Sequence, residues 1–292
     1  MNIGVIGLRG AWSTESLCQH LKEKHAGGAV IELSEISYDL SNTTFQHPEY
    51  DLSSFDGFIL KKMGESYSPN LLDKLELLKL MERKGFQFFS SPSAIRKMIS
   101  RLSCTIMLRD QNIPMPPTFI TASIDDALTY IANHDEVILK PLYSTKARGM
   151  ELLSDTGNAR IKLQAHLDRG ENIFYLQQKY ELDQKDYGLA FLGGEYIGAF
   201  ERQGDGSTWH TTTREGGKYN VFEPPQRYID LASKAQEPFK LDFACVDIAN
   251  TREVGPVVFE VSTFGGYRGL HQSSGIDAAK LLADYVVAKM KS

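Results

Sequence analysis

The sequence predicts a mixed α/β protein, and three observations carry that expectation. Short apolar runs alternate with helical apolar stripes through the first third of the 292 residues. A second helix–strand–strand–helix–strand pattern follows a break at Pro114, Pro116 and Pro117. The last third is rich in strands, two of them joined at Gly193-Gly194.

The first third reads β-α-β. Ile3-Gly4-Val5-Ile6 is an apolar strand, residues 14–25 look helical, and Gly27-Gly28 ends that helix. Strands are expected over 29–36 and 58–60, the latter running into Lys61-Lys62-Met63-Gly64. Ser68 as N-cap and Pro69 in the first turn open a helix. Its stripe is Leu71, Leu72, Leu75, Leu78 and Met81, and Gly85 closes it before a strand at 86–89. This is an open α/β unit with a parallel sheet. Residues 93–112 read as one or two linking helices. The middle unit has a helix at 124–133, with Ser123 and Asp126 as a capping pair. Strands at 137–139 and 151–153, a helix at 157–168 and a strand at 173–178 complete it. Strands at 187–192, 195–200, 241–248 and 256–261 and a helix at 276–290 make the third unit. The three units are expected in one compact body.

Composition narrows the function classes. With 42% hydrophobic residues the chain can bury a large core, and a net charge of −5 gives no general pull toward nucleic acid or anionic membrane. No apolar run is long enough to span a bilayer. The first residues lack a basic n-region, so they read as a strand rather than a signal peptide. Cys18, Cys104 and Cys245 are odd in number and far apart. That argues against a disulfide framework or thiolate metal site and for a reducing cytoplasm.

The chemistry-bearing residues sit at strand ends and loops. Lys140 ends the apolar run Val137-Ile138-Leu139, where its stem packs and its amine reaches a phosphate. The loop Tyr143-Ser144-Thr145-Lys146-Ala147-Arg148-Gly149 joins hydroxyls, cations and a glycine, as an anion-covering flap would. Asp247 and Glu260 each lie near the end of an apolar strand, with Ser262 on the same face as Glu260. With no evident cation nearby, adjacent carboxylates repel, and a divalent cation removes the repulsion. Oxygen-only donors favour Mg²⁺ over zinc. Gln177-Gln178-Lys179-Tyr180 forms a strand-edge segment able to offer backbone groups to an adenine. Trp209-His210-Thr211-Thr212-Thr213-Arg214-Glu215-Gly216-Gly217 is polar and cationic, suited to a phosphate or acidic substrate. Singly, each also fits a solvated loop or strand end. Gly7-Leu8-Arg9-Gly10 lacks the dinucleotide glycine spacing, and His20, His25 and His47 read as surface residues.

The order of these segments resembles the ATP-grasp family, and within it the RimK branch of carboxylate–amine ligases, from about residue 57 onward. The matching stretches include Arg101-Leu102, Ile113-Pro114, Lys140 with Gly149, Gln177-Gln178, Asp186, Glu201-Arg202, Gly216-Gly217, Val246-Asp247-Ile248, Phe259-Glu260-Val261 and Gly275-Ile276-Asp277. Leu139-Lys140-Pro141-Leu142-Tyr143-Ser144-Thr145-Lys146 is also similar to the ATP-grasp subgroup of the bacterial GAK system.

The resemblance implies an ATP-grasp fold: a Rossmann-like pre-ATP-grasp unit (1–92), linking helices (93–117), a lid subdomain (118–185) and a C-terminal antiparallel-sheet subdomain (186–292). It implies that Lys140 meets the α/β-phosphates and Arg101 stands at a phosphate-lysine position. Gln178 and Lys179 supply the adenine hinge, Asp186 meets the ribose, and His210, Thr211 and Thr212 replace an Arg-Ser-Asn phosphate segment. Asp247, Glu260 and Ser262, the last in place of an asparagine, would bind Mg²⁺, with Mn²⁺ as an admissible substitute.

The expected reaction is Mg-ATP-dependent joining of a carboxylate and an amine, small molecule or peptide, through an acyl phosphate. Lys146, Arg148 and Arg214 would meet the developing charge and Arg268 the substrate carboxylate. A nucleotide-binding regulator and a kinase using the same ATP site are the alternatives. Homo-oligomers are common among such proteins, and neither nucleic acid nor membrane is an expected partner.

Overall fold

The computed structural model describes residues 1–206, 208, 209, 211 and 216–292. The first unit runs β1 (Ile3–Ile6), α1 (Trp12–Glu23), β2 (Gly27–Ile31), a small hairpin of β3 (Ser37–Asp39) and β4 (Thr44–Gln46), β5 (Gly57–Leu60), α2 (Asn70–Arg83) and β6 (Gln87–Phe89). Its sheet is parallel, in the order β2-β1-β5-β6. The apolar residues of β1 and β5 are buried on both faces, as strands between two helical layers must be. The strand expected over 29–36 stops at Ile31, because the chain turns back where Glu35 N–H donates to the Glu32 carbonyl at 2.9 Å. Ser68 is not the side-chain cap of α2. Pro69 occupies the N-cap, and Ser68 contributes only its carbonyl, accepting from Leu71 N–H at 3.1 Å.

Two linking helices follow, α3 (Pro92–Ile99) and α4 (Arg101–Asp110). Ser91 caps α3 by accepting from Ala94 N–H, and the extended Ser100 separates the two. That break puts Arg101 at the start of α4.

The middle unit contains β7 (Thr118–Thr121), α5 (Ile124–Ala132), β8 (Val137–Leu139), β9 (Glu151–Leu153), α6 (Thr156–Asp168) and β10 (Phe174–Gln178). Its sheet is antiparallel where β10 meets β7 and β8, in the order β7-β10-β8-β9. Half of the Ser123–Asp126 pair forms: Ser123 Oγ accepts from Asp126 N–H at 3.2 Å, while Ser123 N–H donates to Thr121 Oγ1 at 3.0 Å instead of to the Asp126 carboxylate. Strand β7 was hidden by the prolines before it.

The third unit contains β11 (Lys185–Leu192), β12 (Glu195–Gln203), β13 (Lys218–Val221), α7 (Gln226–Gln236), β14 (Phe243–Thr251), β15 (Gly255–Ser262), α8 (Tyr267–Ser274) and α9 (Ala278–Lys289). All its strand pairs are antiparallel, in the order β13-β12-β11-β14-β15. Two glycines set the packing there. A Cβ on Gly188 of β11 would lie 2.2 Å from the Phe200 ring, and one on Gly269 of α8 would lie 2.6 Å from it. Only glycine allows β11 and α8 to close on that ring.

The cores divide unequally. Phe58 and Leu60 of β5, Ile95 and Leu108 of the linking helices, and Val246 and Val258 of the third sheet share one buried cluster. The middle unit has its own, built on Ile131, Leu139, Leu163, Phe174 and Leu176. First and third units are therefore joined by continuous apolar packing, while the middle unit keeps a separate core. Among the described residues no helix is long and apolar enough to cross a membrane. All three cysteines are buried and unpaired.

Candidate active site

Lys140 follows β8 directly, and its backbone N–H donates to the Tyr175 carbonyl at 3.0 Å. The side chain turns inward and is only 6% exposed. Its Nζ donates to Gln177 Oε1 at 2.5 Å and lies 5.2 Å from the Phe259 ring centre. Burial, with the Arg101 charge adding to it and Glu260 opposing, lowers the amine to about 7.

Arg101 ties the loop after Lys140 to the linking helix. Its backbone N–H donates to the Leu142 carbonyl at 2.9 Å, its Nε to the Pro141 carbonyl at 3.0 Å and its Nη2 to Ser144 Oγ at 3.1 Å. Its Nη1 stands 3.7 Å from Glu260 Oε2. Lys140, Arg101 and Glu260 thus come together from three elements. A small cavity of about 40 Å³ lies among Tyr67, Arg101, Leu142, Ser144, Phe259 and Glu260. Tyr67 is half-buried there, and its desolvation, with Glu260, raises its phenol.

Asp247 and Glu260 are direct register partners on β14 and β15, so the sheet sets the two carboxylates side by side. Ser262 is two residues on, opposite Cys245, and its Oγ accepts from Phe264 N–H at 3.2 Å. The expectation of no nearby cation is corrected here. Arg202 of β12 donates to Asp186 in bidentate fashion, at 2.9 and 2.6 Å, and reaches Asp247 Oδ1 at 2.9 Å. Burial still raises the Asp247 carboxyl, with Arg202 opposing and Glu260 and Asp186 adding to the rise. The two carboxylates hold Arg202 well above its usual range despite its own burial. The sequence offered Arg202 only as part of a matching stretch. Its place between two acids arises because β12 pairs with β11 at Asp186 and β11 with β14 beside Asp247.

The remaining expected residues are distributed as follows. Gln178 and Lys179 close β10, where their backbone N–H groups already donate to the Pro117 and Glu136 carbonyls at 2.9 and 3.0 Å. The Lys179 ammonium is held by Glu136 at 2.6 Å and Glu181 at 3.1 Å. Lys146 and Ala147 take left-handed backbone angles before Gly149, folding the 140–150 loop into tight turns, and Arg148 is exposed on it. Arg268 sits in the first turn of α8, exposed, its guanidinium 5.8 Å from the Trp12 ring of α1. Thr211 is buried. His210, Thr212 and Arg214 lie outside the described residues.

The donor set fits a hard divalent cation carried on a nucleotide. Two carboxylates and a hydroxyl on neighbouring strands are oxygen donors, and a cation such as Mg²⁺ completes its shell with phosphates and water. Among the described residues no group of three or more His, Cys, Asp or Glu forms a self-sufficient metal cage.

The three-unit architecture is the ATP-grasp fold. It superposes on the RimK-domain ATP-grasp protein of Sphaerobacter thermophilus with a TM-score of 0.77, covering 98% of this chain and 99% of that one at 18% identity. It also matches the ATP-grasp ligase PsnB complexed with a phosphomimetic variant of its minimal precursor, Mg and ADP, with a TM-score of 0.74, 16% identity and 99% and 98% of the chains covered. Residues 99–286 match the RimK-like ATP-grasp domain, and the chain belongs to that family. A full-length relative is the tetrahydromethanopterin:α-L-glutamate ligase of Methanosarcina acetivorans, 21% identical over 307 aligned positions that cover 94% of this chain and 95% of that protein.

Proposed function

We propose that the protein is an ATP- and Mg²⁺-dependent carboxylate–amine ligase that forms an amide or peptide bond through an acyl phosphate, releasing ADP and phosphate. The observation that carries this reading is the convergence of Lys140, Arg101 and the Asp247–Glu260 pair, each from a different element, within a protein of this family. Lys140 and Arg101 bind the nucleotide phosphates. Asp247, Glu260 and Ser262 hold the Mg²⁺ that neutralises phosphate charge during transfer. Mn²⁺ would serve in its place. Gln178 and Lys179 border the adenine, Asp186 the ribose. The 140–150 loop with Lys146 and Arg148, and Arg214, cover the reacting groups and keep water from the acyl phosphate. Arg268 receives the substrate carboxylate as a bidentate partner.

The relatives support a substrate class. One carries an α-L-glutamate ligase name, and the structural neighbour PsnB was captured with a precursor peptide. The carboxylate is therefore assigned to a small molecule or peptide and the amine to an amino compound such as an α-amino acid. The test is ADP release with Mg-ATP across a matrix of acids and amines, with product mass determined. An amide-mass product lost on Lys140→Ala supports the reading. Unchanged ATP affinity and turnover in that variant refutes the site.

A nucleotide-binding regulator is the second reading. It is favoured by Arg202 and the Phe264 N–H, which occupy Asp247 and the Ser262 hydroxyl respectively. Tight Mg-ATP binding without ADP release over the whole matrix would select it.

A further inference from the structure

Gln177 stands where four elements meet, and the ligase scheme leaves it without a role. It lies in the middle of the middle-unit sheet on β10, opposite Ile138 of β8 and Thr118 of β7, and is 1% exposed. Its Oε1 accepts from Lys140 Nζ at 2.5 Å. Its Nε2 donates to Thr118 Oγ1 at 3.0 Å and to the Tyr175 hydroxyl at 3.3 Å. That hydroxyl is 2.8 Å from Thr105 Oγ1 on α4, one helical turn beyond Arg101. Both amide hydrogens thus have acceptors, which leaves the amide oxygen to face the lysine.

The choice of an amide matters chemically. An apolar side chain would leave a buried amine without an acceptor, which is costly. A carboxylate would lock the same amine into a desolvated ion pair. The other groups facing Lys140 are Arg101 from α4, Glu260 and Phe259 from β15, and Tyr175 from β10. The amide gives the lysine a fixed place without adding a counter-charge of its own.

We propose that Gln177 is a positioning residue for Lys140. Its amide, pinned by Thr118 and Tyr175, parks the amine at the end of β8 and releases it to a nucleotide phosphate without an ion pair to break. The inference rests on the reading that Lys140 meets phosphate.

The experiment is calorimetric titration of the full chain with ADP in EDTA buffer. It is run at pH 6 and pH 8 in two buffers of different ionisation enthalpy. The wild type should take up a proton on binding at pH 8, because the Lys140 amine, lowered to about 7, recharges against phosphate. Gln177→Glu should weaken ADP about tenfold and abolish that uptake, since the lysine is then charged beforehand. Tyr175→Phe keeps the acceptor but removes a pin, and should weaken ADP about threefold with uptake retained. A merely structural role for Gln177 would lower the unfolding midpoint and leave the proton uptake unchanged. Wild-type affinity and uptake in folded Gln177→Glu, alongside lost affinity in Lys140→Ala, overturns the role of Gln177 and leaves the phosphate reading standing. Wild-type affinity in Lys140→Ala itself overturns both. If Gln177→Glu does not fold, unchanged ADP affinity in Tyr175→Phe overturns the proposal.

Discussion

Replacing Arg202 by methionine removes the cation between two acids while keeping a stem of similar length. Arg202 makes bidentate contact with Asp186 and a further contact with Asp247 at 2.9 Å. Their side chains are 12% and 21% exposed, so solvent does little to replace the lost partner. An exposed ion pair would be worth at most about 1 kcal/mol. Breaking a buried one costs about 3–5 kcal/mol, because an uncompensated charge remains. The lower end, about 3 kcal/mol, is expected here, since Asp247 keeps some contact with water. The sign of the pH dependence follows. Burial already raises the native Asp247 carboxyl, and without Arg202 to oppose it that carboxyl titrates higher still, so the native variant holds its proton to higher pH than the native wild type does. The deficit should therefore grow as pH rises from 5 to 8 and shrink on acidification. Urea unfolding followed by far-UV circular dichroism at pH 5, 6, 7 and 8 measures it, and millimolar Mg²⁺ should recover more stability in the variant than in the wild type. A loss below about 1 kcal/mol at pH 8, equal to that at pH 5, would refute the claim that these acids depend on Arg202.

Three further outcomes are expected. Gly188→Ala puts a methyl 2.2 Å from the Phe200 ring and should cost about 1–3 kcal/mol, a penalty that shrinks in a Phe200→Leu background when both are compared by chemical denaturation. Arg101→Met removes the side-chain bonds to Pro141 and Ser144, so limited trypsin digestion should cut after Lys146 or Arg148 several-fold faster, with peptide masses locating the cut. Lys61 is buried against the Phe264 carbonyl and the Tyr267 ring, and burial lowers its amine to about 7. Between that value and the unfolded one near 10.4 the unfolded state binds more protons, so this group makes stability rise with pH. Lys61→Met should flatten that rise and be comparatively more stable at pH 6 than at pH 10, as read from urea midpoints.

Much of the fold was legible because its signals are local. The stripe from Leu71 to Met81 is helical wherever it packs, and Ser123 caps its helix through an amide three residues away. Apolar runs were enough to find β14 and β15, but β14 continues to Thr251, so Asp247 lies at its middle rather than near its end. The short hairpin of β3 and β4, strands β7 and β13 and helices α7 and α8 were not found. They are brief or polar, and their order comes from packing against residues distant in the chain. The site divides in the same way. Lys140 and the acid pair carried a chemical pattern, whereas Arg202 and Gln177 stood only within matching stretches, and their partners are defined by strand register.

The sequence by itself determined the class of chemistry: a lysine closing an apolar strand, a cationic loop and two acids on apolar strands, in an order that matches one family. Only the tertiary structure decided what each charge faces. Sheet pairing set Arg202 between Asp186 and Asp247, and the middle-unit sheet turned Lys140 inward onto Gln177. The reason is physical. Residue type and spacing fix which groups can bear charge, but the partners that neutralise or desolvate a charge come from other elements, and their distances exist only once the sheets have closed.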